Sequence, residues 1–222
     1  MNKQDRMVHQ MLDGTASFVD ANGDLFPKNT IAIPEALVSE VKNLDTVAAG
    51  YEAADRTLQA ARQARNSSAD DFKSELDSVA QLTAALGINR LMLPRNGGQS
   101  QLVHVGRAFL QECSSMKKAF VEHGFGADFA EEFSAKIEGL AKAIDAERTA
   151  RAARKASRLK WSAQLATALE ALAHVDVLAR KALKDNVEAL ESYEAVRTVR
   201  RVASRKEEQP PPAENVGKTA AA

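Results

Sequence analysis

Cysteine is nearly absent from this chain of 222 residues, with Cys113 standing alone. One cysteine excludes an intramolecular disulfide framework and a zinc site built on cysteines. Aromatic residues make up 5%, glycines number 11, and of the 6 prolines three form the run Pro210-Pro211-Pro212. No stretch of strand length alternates strictly between apolar and polar residues, so the sheet pattern is missing as well. No run of about 18 apolar residues exists to span a bilayer. The stretch from Met1 to Gly14 lacks the apolar centre of a secretory signal. These absences point to a cytoplasmic protein of bacterial type with no membrane partner.

What is abundant is Ala, Leu, Glu, Arg and Lys, the residues that lose least on entering a helix. The length suffices for one substantial core. The expected fold is all-α, an elongated antiparallel helical bundle with long helices, spanning residues 1–206 as a single domain. Residues 207–222, Pro-rich and then small and polar, cannot bury enough surface to order themselves and read as a disordered tail.

Six helical segments are expected. The first covers about 3–20 and ends at the Asn22-Gly23-Asp24 turn signal. The second, from Pro34 to Arg65, carries Leu37, Val41, Leu44, Ala48, Tyr51, Asp55 and Leu58 in alternating steps of four and three, a heptad seam with one polar intruder. Asn66-Ser67-Ser68 predicts a break. A third helix then carries Phe72, Leu76, Val79, Leu82 and Leu86 and stops at Gly87. After a loop at 89–98, a fourth carries Leu102, Val105, Phe109, Cys113, Met116 and Phe120 as far as Gly124. The fifth is long, with one stripe of Phe129, Phe133, Ile137, Leu140 and Ile144 and another of Trp161, Leu165, Leu169, Leu172, Val175, Ala179 and Leu183. Asp185 with Glu188 has the spacing of a capping box and opens the sixth, 187–202.

At the Gly124–Phe129 link and the closing Tyr193-Glu194-Ala195-Val196-Arg197 stretch, the chain resembles a diffuse group of all-helical bundle proteins of environmental bacteria with no known activity. The resemblance implies a helical bundle and carries over no functional residue.

Charge is balanced overall, with 30 basic and 30 acidic side chains, but not along the chain. Residues 1–140 carry 14 Lys and Arg against 19 Asp and Glu, whereas residues 141–206 carry 15 against 8. The densest basic feature is Arg148, Arg151, Lys155 and Arg158, which share one helix face, with alanines between them. Such a stripe reads first as a solvated face that pairs with the acidic front half or with a second copy, and second as a series of phosphate contacts on nucleic acid. Few aromatics accompany it for base stacking, so a protein partner or homo-oligomer is favoured over nucleic acid.

Enzymatic constellations are thin. A di-metal carboxylate bundle needs Glu-x-x-His on two helices, and the nearest approach is the single pair Glu170 and His174 at a spacing of four. His9, His104, His123 and His174 stand singly. Cys113 falls on an apolar stripe and reads as a small core residue. The glycines at 97–98 follow no phosphate-loop fingerprint, although a helix start with Arg90 and Arg95 nearby could hold an anion. No catalytic residue, metal or cofactor is therefore expected. The expected role is a non-enzymatic interaction or scaffolding protein; the alternative is a nucleic-acid-associated protein using the basic face at 148–160.

Overall fold

The computed structural model describes residues 1, 3–85 and 98–198, excluding the side chains of Cys113 and Ser114. The helix stop at Gly87, most of the 89–98 loop, the burial of Cys113 and the tail at 207–222 lie outside the described residues. Within them are six α-helices, α1 (Lys3–Ala21), α2 (Ala32–Ala85), α3 (Gln99–Ser114), α4 (Lys117–Glu122), α5 (Phe129–Ala182) and α6 (Val187–Arg197), and no strand. Two short 3₁₀ turns, Gly23–Leu25 and Lys28–Thr30, join α1 to α2. None of the described helices is long and apolar enough to cross a membrane.

The frame is a pair of antiparallel helices, α2 and α5, of 54 residues each. At 1.5 Å per residue each runs about 80 Å. Their register is fixed by contacts along the length: Gln164 Nε2 to Glu40 Oε2 at 2.6 Å, Arg154 to Asp55, Arg65 to Glu147, and Phe72 against Phe133 with ring centroids 5.4 Å apart.

Apolar burial along this pair falls into two separate cores. The first gathers Leu12, Val19, Leu37, Leu44, Trp161, Leu172, Val175 and Tyr193, where α1 and α6 pack against the pair. The second gathers Phe72, Leu76, Val79, Phe109, Phe120, Phe133, Ile137 and Leu140, where α3 and α4 pack. Between them lies a stretch whose inward positions are largely polar.

Three segment expectations are overturned. The second and third helices are one, α2, running through Asn66-Ser67-Ser68. The heptad seam continues in phase through Leu58, Arg62, Arg65, Ala69 and Phe72, so the polar triplet falls off the seam and costs the helix little. None of the three is Gly or Pro, the residues that do break helices. The fourth helix, conversely, divides into α3 and α4. Ser115 Oγ donates to Glu112 O at 2.7 Å, a local bond that competes with the helical ladder. The bend seats Phe120 stacked on Phe129, 5.1 Å between centroids and 9° from parallel. Finally, α6 ends at Arg197, because Thr198 is extended.

Two smaller corrections concern α5 and α6. Leu169 is 39% exposed and Ala168 takes the buried position on that stripe. The N-cap of α6 is Asn186, whose side-chain oxygen accepts from Ala189 N at 3.1 Å, rather than Asp185. The long α5 otherwise runs unbroken from Phe129 into the last turn before Leu183, and Leu44 and Trp161 are both buried.

Candidate functional site

The polar middle of the α2–α5 pair sets the chemistry. On α2 the seam positions there are Asp55, Leu58, Arg62 and Arg65; on α5 the facing residues are Glu147, Ala150 and Arg154. Glu147 is the one buried carboxylate among the described residues, at 4% exposure. Three arginines close on it: Arg151 Nη2 at 2.7 Å from the next turn of α5, Arg62 Nε at 3.4 Å and Arg65 from α2. The hydrogen bond from Arg151, aided by the charge of Arg65, holds the Glu147 carboxyl below its usual range despite the opposing effect of burial. One carboxylate thus faces three guanidinium groups, and Arg65 Nε is buried with no acceptor.

The four residues expected to form a basic stripe, Arg148, Arg151, Lys155 and Arg158, are all exposed on α5. Arg148 reaches Asp145 on its own helix at 3.3 Å, both side chains well exposed. Because Arg151, Arg62 and Arg65 all touch Glu147, the stripe and the two α2 arginines lie on the same flank of the pair. Six cations therefore line this flank, with Glu147 and Asp145 as their carboxylate partners. A recess of about 190 Å³, lined by Ile144, Glu147, Arg148 and Arg151, opens within it. The alanines at 150, 152, 153 and 156 keep side-chain bulk low between the charges.

Arg62, Arg65 and Glu147 are the residues that sequence reading missed. Arg62 and Arg65 stand 85 and 82 residues from Glu147, and only the antiparallel register brings them together. The continuous heptad phase was the available signal, since it places both at inward positions.

Elsewhere the polar groups serve the two cores. His9 Nε2 lies 2.7 Å from Asp45 and its ring stands edge-on to Trp161, 5.4 Å between centroids. Glu170 and His174 are both exposed, and no group of three or more His, Cys, Asp or Glu among the described residues could hold a metal ion. An open groove of about 490 Å³ lies between the end of α1 and the start of α2, lined by Val19, Ile31, Pro34 and Val38 with Asp20 and Lys42. Its volume suits a small ligand.

Fold and site together define a class: an antiparallel two-helix rod capped by a helical core at each end, with a net-basic waist between them. Comparison with models of protein families, with curated proteins and with solved structures finds no match to the chain.

Proposed function

We propose that the protein is a non-enzymatic interaction protein, a helical spacer that offers the basic flank of its waist to an anionic partner. The observation behind this reading is the gathering of Arg62, Arg65 and Arg151 around the single carboxylate of Glu147, with Arg65 partly buried at an inward heptad position. Apolar side chains there would stabilise the pair more, since cations partly removed from water regain their hydration cost only through good pairing. Several contacts along the pair already fix its register, so cations in surplus over the single carboxylate of Glu147 are not needed for it and suit an external anion. The two cores supply stability at either end of the pair. A single cysteine with no disulfide framework suits the cytoplasm, where we place it.

The test is site-specific photo-crosslinking in cells. A crosslinker at Lys155 should capture a macromolecular partner, while one at Lys181, exposed near the far end of α5, should not. Equal capture at both positions, or capture at neither, would remove the flank as the working surface.

A further inference from the structure

We infer that the anionic partner of the waist is double-stranded nucleic acid, gripped by its phosphodiester backbone without reading of the bases. This rests on the preceding proposal that the flank is the working surface, and it names the partner.

The chemistry of the flank carries the inference. Five of its six cations are arginines, Arg62, Arg65, Arg148, Arg151 and Arg158, with Lys155 the sixth. Arginine presents a planar fork of donors that matches a phosphate bidentately, where lysine offers a point charge. Arg148 and Arg151 are 77% and 65% exposed at the side chain, so their donors are accessible although each holds one carboxylate oxygen. The recess beside Glu147 gives a phosphate oxygen access to guanidinium groups of α5.

Length and continuity agree with this partner. From Arg148 to Arg158 the flank extends about 15 Å along α5. A duplex carries one negative charge per roughly 1.7 Å of axis, so about nine charges lie within that distance if the axes align. The two cores leave about 30 Å of α5 between Leu140 and Trp161, long enough to seat the duplex; on α2 this span is bordered by the start of α3, where Gln99 Nε2 lies 3.4 Å from Asn66 Oδ1.

The aromatic content decides between double and single strands. Single strands are held by stacking bases on exposed rings. The rings nearest the waist, Tyr51 and Trp161, are buried, at 6% and 3% exposure. Nothing on the flank offers a face to an unpaired base.

A second copy of the chain is the weaker partner on charge grounds. Its front half is acidic, yet three of its carboxylates already face cations of their own chain: Glu75 to Lys136, Glu138 to Arg107 at 2.9 Å and Glu131 to Lys117 at 3.5 Å. Docking the basic flank there would exchange existing pairs for new ones.

The experiment is fluorescence anisotropy of the full chain with a short duplex DNA of random sequence, the matching duplex RNA and the single strand, across a salt series. The wild type should bind both duplexes more tightly than the single strand. With four phosphate contacts, affinity should fall about 100-fold between roughly 50 and 200 mM salt. The triple variant Arg148→Gln/Lys155→Gln/Arg158→Gln leaves the Glu147 cluster intact and should keep the wild-type melting temperature. Its logarithmic salt slope should be shallower by about 0.9 for each contact removed. The control Lys181→Gln/Lys184→Gln, which removes charge away from the waist, should bind as wild type does. Absence of duplex binding by the folded wild type at low salt overturns the inference. So does unchanged binding by the triple variant, equal loss in the control, or preference for the single strand. Capture of a protein through Lys155 together with absent duplex binding would retire nucleic acid and leave the flank as an interaction surface; failure of both experiments would retire both readings.

Discussion

Asp55 accepts a hydrogen bond from Arg154 across the waist, each standing at a position that its helix elsewhere fills with an apolar side chain. The Arg154 guanidinium also lies over the Tyr51 ring, 5.7 Å from its centre, and donates to the Tyr51 hydroxyl at 3.3 Å. The hydrogen bond to Asp55 raises the Arg154 pKa further, so the pair stays charged. Removing one partner should be worse than removing both, because the remaining charge faces the seam alone. Asp55→Leu and Arg154→Leu should each lower the melting temperature, and the double variant should regain part of the loss. Strict additivity across the four proteins would show that the two side chains do not interact.

Gly106 sets how closely α3 approaches the α2–α5 pair. A Cβ at this position would collide with the Phe72 ring and come within 3.1 Å of Ile137 Cγ1. Gly106→Ala should therefore cost about 1–3 kcal/mol through overpacking, even though alanine favours the helix. Shortening the neighbour, with Phe72→Leu in the same chain, should return part of that. Urea denaturation of the three proteins checks it; a neutral or stabilising Gly106→Ala would contradict the docking of α3.

Acid should loosen α6. Burial pushes the Asp176 carboxyl up, but Arg197 and the Tyr193 hydroxyl, which donates at 2.5 Å, outweigh it and leave the carboxyl below its usual range. Burial, then the hydrogen bond to Asp176, raises the Tyr193 phenol in turn. A carboxyl whose folded pKa is depressed adds stability that is present above its unfolded value, about 3.9, and lost as pH falls through the folded one. Melting temperatures taken from neutral to strongly acidic pH should show wild type losing more than Asp176→Asn below about pH 4. Parallel curves would dissociate Asp176 from the acid transition.

Proline is the sharpest probe of the long α2. Ser67→Pro removes a ladder hydrogen bond and places a ring against the preceding turn, at a cost of about 3 kcal/mol or more within a helix. In a connecting turn it would be nearly harmless. Circular dichroism with thermal melting should show a cooperative loss in Ser67→Pro and little change in Ser67→Ala.

That helix also marks where sequence reading succeeds and where it stops. Leu37 through Leu58 were legible as a seam because heptad spacing is a local property, and so were Trp161 and Val175. The run Asn66-Ser67-Ser68 misled because low propensity is a weak signal, and the seam beneath it, in phase through Arg62, Arg65 and Ala69, decides the outcome. Leu169 misled in another way: one step along the helix, Ala168 points inward and a larger side chain does not. The α5 half of the waist was visible as regular spacing of like charges. Its α2 half was not, because the encounter of Arg62 and Arg65 with Glu147 is long-range and depends on register.

The division of burial into two cores also orders the birth of the molecule. The core holding Phe72, Phe109, Phe120 and Leu140 is drawn from one continuous stretch, 69–140, flanked by Ala141 and Ile144. The other joins Leu12 and Leu44 to Leu172 and Tyr193, opposite ends of the chain. Local contacts close small loops and form fast, whereas distant ones wait for the chain entropy of a large loop to be overcome. During synthesis the central hairpin can complete its packing while the last helices are still being made. Until the second half of α5 and then α6 arrive, the first half of α2 and α1 lack much of the surface they bury against, so the start of the chain is the last part to find its partners.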